Sequence, residues 1–121
     1  MIDPTVAADR AIAVYHLRHN PKNFIQSRGH LLTPSGARCA LGVIADAFDI
    51  LVFPESEDME ESEYEDNNSA YEEIKRRLDL DEISIIWHWN DTGSNFRVIA
   101  SFLEDHMRTF GMRTDDADDE A

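Results

Sequence analysis

The sequence predicts a mainly α protein: a compact bundle of four to five helices with a short β-hairpin at about 23–40. Three observations carry this. Apolar residues recur at three- and four-residue spacing in several segments. Capping residues stand where those segments begin, and Pro or Gly stands where they end. Only 81–90 also fits a strand, and it has no second strong strand to pair with.

The first helix is expected over about 4–19. Asp3 is a good N-cap and Pro4 suits the first helical position. Val6, Ala7, Ala11, Val14 and Tyr15 follow at helical spacing, and Asn20-Pro21 ends the run because the residue before proline avoids helical backbone. Between 22 and 38, the apolar pairs Phe24-Ile25 and Leu31-Leu32 flank turn residues, Thr33-Pro34-Ser35-Gly36 above all, which suggests the hairpin. Cys39 to Phe48 reads as a buried helix whose small residues let a neighbour approach closely. A third helix is expected from Ser69, with Glu72 completing a capping box, to about residue 79. Lys75, Arg76 and Arg77 at its end complement the helix dipole.

Over 81–90, a strand would align Ile83, Ile85, Trp87 and Trp89; a helix capped by Asp81 would align Ile83, Ile86, Trp87 and Asn90. The helix is preferred. A last helix, capped by Ser94 or Asn95, would bury Phe96, Ile99, Ala100, Leu103, Met107 and Phe110 and stop at Gly111.

The 121 residues suffice for one core. Acidic residues outnumber basic ones 25 to 11, a net charge of −14 with neutral histidines. That excludes a generally basic nucleic-acid-binding surface and argues against an anionic-membrane binder. No apolar run reaches the roughly 18 residues of a membrane span, and no signal peptide is visible. One cysteine makes neither an internal disulfide nor a multi-cysteine zinc site, so a cytoplasmic setting is expected, with no cofactor and no metal.

The acids are concentrated. Glu55, Glu57, Asp58, Glu60, Glu61, Glu63, Glu65 and Asp66 fall in 54–68, and five more fall in 113–121. The organisation expected is therefore one helical domain over 1–112, with a mobile acidic insert at 54–68, followed by a disordered acidic tail at 113–121. These segments read either as solvating chain or as a lure for a basic protein surface.

Two stretches carry a resemblance. Gln26 is followed by Arg38-Cys39-Ala40-Leu41-Gly42; later come Trp89-Asn90-Asp91, Gly93, Asn95-Phe96, Ile99-Ala100 and Leu103. The ordered pair resembles a family of small bacterial and bacteriophage proteins catalogued as a domain of unknown function, over roughly residues 10–108. Asn95 stands where that family usually has Thr or Ser. The resemblance implies a mostly helical domain of bacterial or phage origin and no particular reaction.

Few residues invite chemistry. Cys39 would sit at a helix N-terminus beside Arg38, which favours a thiolate, and His88 with Asn90 or Asp91 would supply base and orienter. The plainer reading makes Cys39 a small core residue. Gln26, Trp89, Asn90 and Asp91 read either as a polar ligand contact or as a structural corner, since Asn and Asp commonly fix turns. A calcium loop from Asp91 fails at its twelfth position, Phe102. His16 and His19 share a helix face but lack a third ligand. The function expected is a non-enzymatic acidic binding protein, a phage or mobile-element accessory factor that binds a host protein, for example as an inhibitor of a nucleic-acid-binding or defence protein. The alternatives are a small-ligand domain with a polar pocket near Gln26, Asn90 and Asp91, and a cysteine-dependent hydrolase using Cys39.

Overall fold

The computed structural model describes residues 3–107 and is mainly helical. The helices are α1 (Pro4–His19), α2 (Ala40–Ala47), α3 (Glu61–Leu78), α4 (Ser84–Asp91) and α5 (Phe96–His106). The expected stop at Gly111, the Phe110 contact and the 113–121 tail lie outside the described residues.

Helix α1 starts as its sequence dictates. The Asp3 carboxylate accepts a hydrogen bond from the Thr5 amide at 2.7 Å, and Pro4 follows. Asn20 ends the helix in left-handed backbone, and its side-chain amide both donates to the Phe24 carbonyl and accepts from the Phe24 amide. Ala13, Val14 and Leu17 face the core, and α1 packs on α2, α3 and α5. Asp9 and Arg10 are buried on the same helix and serve α3. Arg77 grips the Asp9 carboxylate with two nitrogens, at 2.9 and 3.2 Å, while its guanidinium lies 4.0 Å above the Phe48 ring. Arg10 donates to the carbonyls of Leu78 and Asp79, which the end of α3 leaves without helical partners.

Residues 22–38 do not form a hairpin. A single parallel bridge joins Gln26 and Arg38, and the expected turn closes with Thr33 and Ala37 bonded at 2.8 Å. The segment's remaining backbone groups turn to other partners. The Ser27 carbonyl accepts from Asn90, the Gly29 amide donates to Asp91 and the Leu31 amide donates to Glu55. Its apolar residues come in pairs and do not alternate, so a strand would have no consistent buried face. Leu31 is instead fully buried.

Helix α2 is the centre of the core: Ala40 to Ala45 are all buried, and it contacts α1, α3 and α4. Gly42 is required there. A Cβ on it would stand 1.9 Å from the Leu31 carbonyl oxygen.

Helix α3 begins nine residues earlier than expected. Its N-cap is Glu60, not Ser69, and the capping box joins Glu60 and Glu63: the Glu60 side chain accepts from the Glu63 amide, and Glu63 accepts from the Glu60 amide at 3.0 Å. Residues 61–68 of the acidic run are thus its first two turns. Asn67 explains why they fold. It is buried, accepts from the Phe53 amide at 2.8 Å and donates to the Phe53 carbonyl at 3.0 Å, tying the helix to the chain before it. Ala70, Ile74 and Leu78 continue the buried stripe.

Residues 84–91 are helical, as preferred, although the helix starts at Ser84 behind Ile83 with no role for Asp81 as its cap. Ile83, Ile86 and Asn90 are buried; Trp87, expected on the same face, is 39% exposed. Helix α5 is capped by Asn95, whose side-chain oxygen Oδ1 accepts from the Val98 amide, and buries Phe96, Ile99, Ala100 and Leu103. Among the described residues, no helix is long and apolar enough to cross a membrane.

Candidate functional site

The two halves of the sequence signature meet at Asn90. Its side-chain oxygen accepts from the Gln26 amide nitrogen at 2.8 Å and from the Ala40 backbone amide at 3.0 Å. Its side-chain nitrogen donates to the Ser27 carbonyl at 2.8 Å and to the Asp91 carboxylate at 3.1 Å. An Asn side chain offers two donors and two acceptor sites, so all four are used. Its own carbonyl accepts from Arg28. Gln26 also donates to the Ser94 carbonyl at 2.8 Å, and Asp91 accepts from the Gly29 amide at 2.9 Å.

This corner joins the 26–31 segment, the start of α2 and the end of α4. Asn90 is 1% exposed, and its donors and acceptors point to protein. Trp89 packs half-buried beside Phe102, ring centroids 5.4 Å apart, and makes an edge contact with His106. Of the two readings of Gln26, Trp89, Asn90 and Asp91, the geometry is that of a corner. The rest of the signature serves it: Cys39 is the N-cap residue of α2, Ala40 donates to Asn90, Leu41 fills the core and Gly42 admits the Leu31 carbonyl.

Cys39 is buried at 2% exposure. Burial pushes its thiol up to about 11, against the pull of the Gly42 and Leu41 amides; the Asp91 and Glu55 charges add to the rise. The helix N-terminus expected to favour a thiolate is present but loses to desolvation. His88 lies on the exposed side of α4, so the structure does not bring the two together as nucleophile and base. His16 meets the Tyr15 ring edge to face, and His19 lies tilted against it. No group of three or more potential metal ligands occurs among the described residues.

The acids divide into two sets. Glu55 turns inward, where its carboxylate accepts from the Leu31 amide at 3.1 Å and lies 2.8 Å from His30 Nδ1. Glu60 and Glu63 cap α3. Glu57, Asp58, Glu61, Glu65 and Asp66 are exposed and form no ion pair among the described residues. Tyr64 stands among them, half exposed.

Two surface grooves lie away from the corner. One, of about 870 Å³, runs between α3 and α4, where Tyr71 and Trp87 meet edge to face at 4.9 Å. Burial raises the Tyr71 hydroxyl pKa. The other, of about 390 Å³, lies between α1 and α5 and is lined by Arg10, Arg18, Tyr15 and Met107. Neither includes Gln26, Asn90 or Asp91.

Sequence reasoning missed Asn67 and the Asp9–Arg77 pair, and it did not identify the Leu31 carbonyl as the group that approaches Gly42. A glycine inside an apolar helix signals a close approach. Asn67 and Asp9 carry no local signal, since their partners lie 14 and 68 residues away. Comparisons with family models, curated proteins and solved structures find no match.

Proposed function

We propose that this is a non-enzymatic binding protein that engages a basic protein surface through the first half of α3. One observation carries the reading. Glu61, Glu65 and Asp66 are held exposed on a capped, anchored helix, with the half-exposed Tyr64 among them and no basic residue on that helix before Lys75. Fixed carboxylates raise the rate of encounter with a basic partner and select its orientation. An aromatic among them supplies the apolar anchor that interface hot spots favour. The same charge repels nucleic acid and anionic membranes.

The reading fits a cytoplasmic accessory factor of phage or mobile-element origin, as the family resemblance implies. A nucleic-acid-binding or defence protein of the host is the class of target whose basic surface matches. The buried thiol and the saturated Asn90 corner favour this reading over a Cys39 hydrolase or a polar pocket at Gln26, Asn90 and Asp91.

The test captures partners from bacterial lysate on the full chain and on a Glu61→Gln/Glu65→Gln/Asp66→Asn variant, at two salt concentrations. A single stoichiometric partner that binds the native chain, weakens with salt and is lost from the variant is the expected result. Equal capture by both chains contradicts it.

A further inference from the structure

The groove between α3 and α4 lies where two helices share α2 as a neighbour but otherwise pack on different ones. Helix α3 lies on α1 and α2, and α4 lies on α2 and α5. Tyr71 and Trp87 bridge the space between them. Trp87 keeps 39% of its surface exposed, next to the buried Ile86 on one side and the exposed His88 on the other. A large aromatic left open beside a groove is the kind of anchor that protein interfaces use.

Helical spacing places Glu61, Glu65, Asn68 and Glu72 in one row along the crest of α3. Asn68, Ser69 and Glu72 line the groove, so its open end continues onto the exposed carboxylates. Of the basic residues at the other end, Arg76 is neutralised by Glu73 at 2.6 Å. Lys75 lies one turn beyond Tyr71, toward the α3–α4 turn and away from Glu61 and Glu65. The groove thus offers an aromatic seat with a free carboxylate, Glu72, beside it and more carboxylates along the approach.

We infer that this groove is the docking site for a basic segment of the partner protein, with an arginine of that segment seated against Trp87 and Tyr71 and paired to Glu72. The inference rests on the acidic-surface reading above and names the side chain that the surface recognises. Arginine suits the site better than lysine: its planar guanidinium stacks on aromatic rings while its N–H fork meets a carboxylate.

The test is calorimetric titration of the full-length protein with an eight-residue Arg-Gly repeat peptide and with its citrulline counterpart, which keeps the shape but lacks the charge. The arginine peptide is expected to bind and to quench Trp87 emission, and the citrulline peptide to bind at least roughly tenfold more weakly. Trp87→Ala is expected to weaken binding roughly tenfold, Glu72→Gln a few-fold, and Trp87→Phe to keep most of it. Circular dichroism establishes that each variant is folded.

No binding of the arginine peptide to the native chain overturns the inference. So does equal binding of citrulline, full affinity in Glu72→Gln, or a short single-stranded DNA that binds in a Trp87-dependent way. If Trp87→Ala binds fully while the Glu61→Gln/Glu65→Gln/Asp66→Asn variant does not, the groove is wrong and the acidic surface stands. If both variants bind fully, both readings fall.

Discussion

The Asn90 corner and the α3–α4 face are both rich in polar residues, and they use them oppositely. At the corner, every hydrogen-bonding position of the Asn90 side chain meets another part of the same chain, across 50 to 64 residues of sequence for three of its four bonds. On α3, Glu61, Glu65 and Asp66 face solvent and pair with nothing described. Saturation marks a group that holds a fold together; unsatisfied charge on an ordered element marks one left for something else. A motif alone does not distinguish the two. Gln26, Ala40, Gly42, Asn90 and Asp91 hold parts of the same chain together, and the helix that presents unpaired carboxylates lies apart from them.

That contrast breaks if substitutions at the corner are tolerated. Gly42→Ala should have the largest effect, because its methyl would enter the Leu31 carbonyl. A loss of about 3 kcal/mol or more in urea unfolding is expected, at the upper end of what overpacking costs. A loss under about 1 kcal/mol would mean that the 30–32 segment can shift aside.

Burial of Cys39 gives a pH test. Its thiol is raised from 9.0 to about 11 in the folded protein. The neutral thiol is therefore favoured by folding. This contribution is complete below pH 9 and is lost as pH rises from 9 to 11. Stability should fall over that window by about 2 kcal/mol, and Cys39→Ala should show a shallower decline. Below pH 9 the native thiol should react with a disulfide reagent only as fast as the protein opens. Rapid reaction would contradict the corner's closure.

Asn67→Ala sharpens the comparison from the other side, since Asn67 ties the acidic turns to Phe53. A destabilisation of about 1–3 kcal/mol is expected, with the loss of helical signal beginning in residues 61–68. Amide exchange that leaves those residues as protected as before would show that the tie is dispensable. The smallest effect belongs to the exposed acids. Glu61→Gln, Glu65→Gln and Asp66→Asn should each alter stability by less than about 0.5 kcal/mol, whatever they do to binding.

Much of the fold was legible locally. Asp3-Pro4 and Asn20-Pro21 bracket α1, and Asn95 opens α5, because caps and prolines act within a turn of chain. The start of α3 was not. An eight-acid run reads as self-repelling, mobile chain, and what opposes that is a capping box made of two of those acids and a buried Asn tied to Phe53. The hairpin at about 23–40 failed for a related reason: the segment's backbone is satisfied by Asn90, Asp91 and Glu55 and not by a second strand. At the candidate site, Gln26, Asn90 and Asp91 were legible as a group. Their role was not, since a polar pocket and a structural corner use the same residue types and differ only in what occupies the hydrogen bonds. The spacing of Trp87 from Ile83 and Ile86 predicts one shared face; Ile83, Ile86 and Asn90 are buried as that face requires, and Trp87 stands at its edge and lines the groove.

The central claim is that the corner holds the fold while the acidic helix is free to bind. Urea unfolding of Asn90→Ala beside the Glu61→Gln/Glu65→Gln/Asp66→Asn variant tests it most directly. Asn90→Ala strands the buried Ala40 amide and the Ser27 carbonyl, so a loss of about 3–5 kcal/mol is predicted, while the charge variant unfolds within about 1 kcal/mol of the native chain. An Asn90→Ala protein as stable as the native one would contradict the account and would return Asn90 to the candidates for ligand contact.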